Sequence, residues 1–188
     1  MFSLCGLCDL CGEIFGLKAF VGVTALGLTA VLAGGAGMEL KSGVFKAGEM
    51  IPAKYTCDGP DVSPSLTWSD PPAGTKSFAL ISDDPDAPVG TWVHWVAWNI
   101  PGDARSLAEN LPKKDSLPDG TKQGTTDFRR IGYGGPCPPS GTHRYFFKLY
   151  ALDTTLHLPG STTKKDLEKA MQGHILTQAE LMGKYRRR

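Results

Sequence analysis

The chain has almost no net charge: 20 lysines and arginines against 19 aspartates and glutamates leave a formal +1 over 188 residues. It therefore lacks the basic field that gathers nucleic acid along a face. The one basic run, Arg186-Arg187-Arg188, lies at the chain end, where a solvated terminus accounts for it. Common enzyme signatures are missing as well. There is no Gly-x-Ser-x-Gly elbow, no Gly-x-x-x-x-Gly-Lys phosphate cradle and no His-Glu-x-x-His helix. Internal repeats and low-complexity tracts are also absent.

Cysteine is scarce, at 5 residues, and unevenly placed. Cys5, Cys8 and Cys11 supply three thiolates where a closed zinc or cluster site needs four, and small apolar residues of a targeting segment are the plainer reading. Cys57 and Cys137 are the pair left for the folded region, and a disulfide between them is natural if the protein is exported.

What is present divides the chain in two. Residues 1–37 include a stretch from Ala19 to Ala36 with no charge, which reads as an export-signal core or a short membrane anchor. Asp9 and Glu13 precede it with Lys18 as the one cation, a poor positive flank for signal cleavage, yet the apolar run itself makes exported or membrane-tethered the localisation expected. The alternative is a cytoplasmic protein whose translation starts at Met38. Residues 38–188 have the size of one domain with its own core.

Within that domain 23 glycines and 14 prolines, counted over the chain, favour many turns and short strands. Phe78-Ala79-Leu80-Ile81 reads as a strand buried on both faces. In the next strand, strict alternation puts Trp92, His94, Val96, Trp98 and Ile100 on one face and Val93, Trp95, Ala97 and Asn99 on the other. Tyr145 to Leu152 is a third strand, with His143, Tyr145, Phe147 and Leu149 turned to the core. Residues 102–131 read as a long polar excursion over one face, either functional or holding a short helix or extra strands. Thr163-Lys164-Lys165-Asp166 has capping-box spacing, and Leu167, Ala170, Met171, Ile175, Ala179, Met182 and Tyr185 follow at helical spacing, divided by Gly173. C-terminal helices are expected.

Chemistry concentrates in two clusters. Asp83-Asp84-Pro85-Asp86-Ala87-Pro88 precedes Trp92-Val93-His94-Trp95, and Gly134-Gly135-Pro136-Cys137-Pro138-Pro139 precedes His143-Arg144-Tyr145. Each is a rigid turn followed by a histidine entering an aromatic strand, a pattern that suggests one small pocket shared by His94 and His143. A carboxylate near a histidine orients the ring and holds its proton, in catalysis and in anion binding alike. Asp86 is the carboxylate assigned this task first, because Asp84 precedes a proline that fixes the local backbone. The same pair of histidines with Asp86 would suffice for an open zinc site, and Cys137 with His143 for a thiol nucleophile and base.

The Asp84-Pro85-Asp86-Ala87-Pro88 element, Trp92-x-His94 and Gly135-Pro136-x-Pro138-Pro139 with His143-Arg144-Tyr145 resemble the phosphatidylethanolamine-binding protein family, above all its bacterial and archaeal Raf-kinase-inhibitor-like branch. The resemblance implies a mainly β fold, an antiparallel Greek-key β-sandwich of a large sheet against a smaller one with C-terminal helices. It implies ligand-binding roles for Asp84, Asp86, His94, Pro136, Cys137, His143 and Tyr145, with no catalytic residue, metal or cofactor. Cys137 falls where eukaryotic relatives usually carry glycine. The function implied is non-enzymatic: an anion pocket for phosphate or a phosphorylated head group, in a module that modulates a kinase or a protease. A hydrolase or lyase using a His/Asp pair in the same pocket is the alternative. Partners implied are a phosphate-containing small molecule or lipid head group and a kinase or protease; membrane contact is expected only from the apolar run of residues 1–37, which lie outside the resemblance.

Overall fold

The computed structural model describes residues 37–187, so the expectations for Cys5, Cys8, Cys11 and the uncharged segment fall outside the described residues. The strands are β1 (Leu40–Ser42), β2 (Leu66–Trp68), β3 (Ser77–Asp84), β4 (Trp92–Pro101), β5 (Ser106–Leu107), β6 (Lys122–Gln123), β7 (Thr142–Leu152) and β8 (Ile175–Arg186), with helix α1 (Lys164–Met171) between the last two. They form two antiparallel sheets, one of order β1-β2-β5 and one of order β6-β4-β3-β7-β8.

The continuous apolar run in β3 earns its central place by feeding two cores. Phe78 and Leu80 join Leu66, Trp68 and Leu107 of the small sheet in the larger core. Ala79 and Ile81 join Leu167 and Met171 of α1 in the second. Each fully buried Phe, Leu or Ile contributes roughly 1.5–3 kcal/mol, so a strand covered on both faces is worth more than one half exposed.

Strict alternation fails in β4 at two places. Ser82 pairs with Trp95 but Asp83 with Val93, leaving His94 as the extra residue of a bulge. A second slip follows where Phe78 pairs with Ile100 and Leu80 with Ala97, around Asn99. Asn99 takes φ 53°, a left-handed conformation asparagine tolerates, and its amide exchanges bonds of 2.9 and 2.8 Å with the Leu156 backbone. Trp95, Ala97 and Ile100 consequently enter the larger core, while Val93, Val96 and Trp98 enter the second.

The C-terminal region corrects the expectation of helices. α1 has the anticipated capping box between Thr163 and Asp166, yet it is the single helix among the described residues. Gly173, at φ 81°, turns the chain out of the helix, and residues 175–186 then form β8. Inward-facing Ala179, Leu181, Gly183 and Tyr185 repeat every second residue, and β8 pairs with β7 from Thr142↔Arg186 to Leu152↔Ile175. Tertiary pairing overrides the helical spacing: against β7 the strand buries Ala179, Leu181 and Tyr185 while leaving Ile175 44% exposed. The outer edge of β8 is covered in turn: Gly48 N–H and Ile51 N–H donate to the Met182 and Lys184 carbonyls at 2.7 Å, and Lys184 N–H donates to Glu49 at 2.8 Å.

The excursion at residues 102–131 contributes β5 to the small sheet and β6 to the edge of the large one. Gln123 pins it, accepting from Trp95 Nε1 at 2.9 Å and donating to the Pro112 and Lys114 carbonyls. Among the described residues no helix is long and apolar enough to cross a membrane.

Candidate functional site

β3 ends at Asp84, a residue turned inward and only 3% exposed. Its Oδ1 accepts the Asp86 N–H at 2.8 Å, closing the proline turn, and its Oδ2 accepts His143 Nδ1–H at 2.8 Å. His143 arrives from β7, adjacent to β3 in the sheet, and two residues on Tyr145 points to the same side. The bulge in β4 delivers His94, which stands edge-on to the Tyr145 ring with centroids 5.2 Å apart. These four side chains, distant in sequence, form one buried group.

The segment leading to β7 completes the walls. Asp127 accepts the Val93 N–H at 2.7 Å, and Thr126 N–H and Oγ1–H both reach the Arg130 carbonyl, making a tight turn. That turn sets Phe128 edge-on to both Trp92 and His94, at 5.5 and 5.2 Å. Opposite, Cys137 is joined to Cys57 by a disulfide with a Cα–Cα distance of 5.4 Å, tying the rim to the short 3-10 turn Ala53–Tyr55 and the residues after it.

Between these walls lies a cavity of about 320 Å³. Asp84 and His94 are its charged or titratable lining groups; Trp92, Phe128 and Val89 make one apolar side and Cys137, Pro138 and Pro139 the other. His94 donates from Nδ1 to the Gly134 carbonyl at 2.7 Å, which leaves Nε2 as its uncommitted nitrogen. Burial lowers the His94 pKa, against the opposing pull of that bond and of Asp84, so the ring favours its neutral form. The Tyr145 hydroxyl is buried without a hydrogen-bond partner. It sits near Asp84 and the Cys137 backbone, and burial followed by the Asp84 charge pushes its pKa well above the usual tyrosine value. Asp84 is thus an acceptor beside the hydroxyl, though no group meets it with full hydrogen-bond geometry.

Of the residues expected at the site, Asp84, His94 and Cys137 line the cavity. His143 and Tyr145 stand behind them, through Asp84 and His94 respectively. Asp86, the carboxylate expected to serve the histidines, is elsewhere: Arg144 takes it through its backbone N–H, Nε and Nη2 at 2.9, 2.9 and 2.7 Å. The Arg144 guanidinium lowers the Asp86 pKa to about 2, with the charge of His143 a lesser contribution. Pro136 turns its carbonyl away to accept the Cys57 N–H at 3.1 Å. The zinc reading fails with Asp86, and among the described residues no three His, Cys, Asp or Glu side chains are grouped to hold a metal ion. The thiol-nucleophile reading fails because the Cys137 sulfur is bonded to Cys57.

Sequence reasoning missed Phe128 as a wall and gave Trp92, Pro138 and Pro139 places in the motifs but no place among the ligand-binding residues. An aromatic residue isolated in a polar turn, between Asp127 and Arg129, was the available signal for Phe128.

Residues 41–186 match the family model described as phosphatidylethanolamine-binding protein. A UPF0098 protein of Aquifex aeolicus is 56% identical over 158 residues, covering 82% of this chain and 92% of its own length. A UPF0098 protein of Methanothermobacter thermautotrophicus is 54% identical over 150 residues, covering 80% and 99%. Among solved structures, the phosphatidylethanolamine-binding protein homolog CT736 of Chlamydia trachomatis is 41% identical with a TM-score of 0.75, over 81% of this chain and 99% of its own. Escherichia coli YbcL, described as a member of the mammalian PEBP family, is 35% identical with a TM-score of 0.76, over 81% and 100%.

Proposed function

The chain belongs to the phosphatidylethanolamine-binding protein family, and from that premise we propose that it is a non-enzymatic binding protein whose cavity takes phosphate or a phosphorylated head group. The observation that carries this reading is the buried Tyr145 hydroxyl, which makes no hydrogen bond of full geometry and stands behind the cavity beside its lining residue Asp84. An unpaired buried hydroxyl costs roughly 1–3 kcal/mol, and a bound oxyanion would accept its proton. His94 Nε2 is the second group such a ligand would meet. The non-sequential order β6-β4-β3-β7-β8 supports placing this pocket on a Greek-key sandwich.

Modulation of a kinase or a protease is the downstream role attached to this reading, with the ligand as its signal. The Cys57–Cys137 bond supports an exported location, since disulfides persist in oxidising compartments. Isothermal titration with phosphate and phosphoethanolamine tests the pocket. Wild type binds in this reading, His143→Ala and Tyr145→Phe bind more weakly, and heat-free titrations with the wild type end it.

A second reading, a hydrolase or lyase, draws on the Asp84–His143 contact at 2.8 Å, the geometry of an acid orienting a general base. Recovery of phosphoethanolamine unchanged after prolonged incubation argues against it; steady release of phosphate or ethanolamine would establish it.

A further inference from the structure

The large sheet has two ends, and the cavity occupies one of them. Asp84 closes β3, Trp92 and His94 open β4, and His143 and Tyr145 open β7. At the other end Ser77 pairs with Pro101 and Leu152, and Leu152 pairs with Ile175. The 11 residues of β7 put roughly 35 Å between the two.

The end remote from the cavity is where the described chain begins. Gly37, Met38, Pro71, Pro72 and Leu176 line one surface hollow of about 350 Å³. Ile175 and Leu176 are 44% and 41% exposed, a consecutive pair of large apolar residues facing water. A register slip produces them: Ala151 pairs with Thr177 and Leu152 with Ile175, so Leu176 is the extra residue of a bulge. Acids nearby are engaged, Glu39 by Lys41 and Asp153 by His174 at 2.8 Å and Asp70 by Arg105 at 2.9 Å, which limits repulsion from an anionic surface.

The sequence before this patch says what covers it. The uncharged run from Ala19 ends at Ala36, and Met38, two positions on, is already buried at 7% exposure. Two residues reach at most about 7 Å. Glu39 is pinned at once, its N–H donating to Ser69 Oγ at 2.8 Å and its carbonyl accepting the Ser69 N–H at 3.0 Å. A run that partitions into lipid therefore brings this end of the domain to the bilayer surface, where exposed apolar side chains gain by entering the head-group boundary.

We propose that Gly37, Pro71, Pro72, Ile175 and Leu176 rest on a lipid bilayer and that the cavity opens away from it. This placement holds whatever the cavity binds. The cavity then meets ligands in solution or on a partner molecule, and not the head groups of the bilayer that carries the chain.

The full chain in phosphatidylcholine vesicles, with ordinary or brominated acyl chains, tests it through the tryptophan emission added by Leu176→Trp and by Val89→Trp. Val89, 79% exposed, lines the cavity mouth, so the two substitutions report the two ends. Brominated chains are expected to lower the Leu176→Trp emission at least about twofold, since docked side chains enter the acyl boundary, and to leave Val89→Trp unchanged. Quenching of Val89→Trp alone, or of both equally, overturns the placement, as does wild type that fails to sediment with the vesicles. If a variant fails to fold, which a melting curve reveals, wild-type Trp92 in the cavity wall decides: equal emission in both vesicles is expected, and quenching overturns the proposal.

Discussion

His94 and Gly134 hold each other twice: the ring Nδ1–H donates to the Gly134 carbonyl at 2.7 Å, and the Gly134 N–H donates to the His94 carbonyl at 2.9 Å. The reciprocal bonds fix both the bulge and the ring it carries. A side chain at position 134 has no room, since a Cβ there would lie 2.6 Å from the Phe128 ring. The glycine is required by this close approach, and it sets the tautomer of the histidine.

Burial of His94 gives stability a pH dependence with a definite sign. Its folded pKa lies below the ordinary value of 6.5, so the folded state binds fewer protons than the unfolded chain as pH falls through 6.5. The contribution is whole above 6.5 and declines as pH drops toward the folded value. The melting temperature of wild type should therefore be lower at about pH 5 than at about pH 7. His94→Gln should show a smaller difference between the two conditions. Identical pH profiles for the two proteins would remove His94 as the source.

Arg144→Ala should raise the Asp86 pKa from about 2 toward its ordinary 3.8, as read by carboxyl NMR titration. The pair is partly exposed, so the change in folding stability should be small. Phosphate affinity should change by less than about twofold, because neither residue lines the cavity. A large loss of affinity would restore Asp86 to the site.

Replacing Cys57 and Cys137 together by serine should lower stability by about 2–4 kcal/mol, the usual effect of opening a long loop. Urea midpoints measured with and without a dithiol reductant provide the check: reductant should shift the wild type and leave the double variant where it is. Phosphate affinity should fall alongside, since Cys137 forms part of the cavity wall. Equal midpoints for the oxidised wild type and the double variant would deny the bond a stabilising role.

Strands whose pattern is set by their own residues were legible. β3 and β7 read correctly because a continuous apolar run and an alternating aromatic one each match a single periodicity. β8 did not, since Leu167 to Tyr185 satisfies a helical spacing on paper and only pairing with β7 chooses otherwise. The bulge at His94 is a property of register against β3, which no single strand displays. At the site the motif was legible but its internal assignment was not. Asp84 and Asp86 are separated by one proline, and which of them turns inward depends on where Arg144 lies across the sheet. Phe128 comes from the excursion, where neither periodicity nor motif marks it.

The backbone cover that residues 48–51 lay along β8 has a consequence for how copies of this protein meet. A bare outer strand of twelve residues would be an open template for lateral growth into ribbons. Here that template is taken from within the same chain at Met182 and Lys184, and at the opposite margin β6 presents only two residues. The fold thus shortens the stretch open to self-templated growth at both margins of its larger sheet.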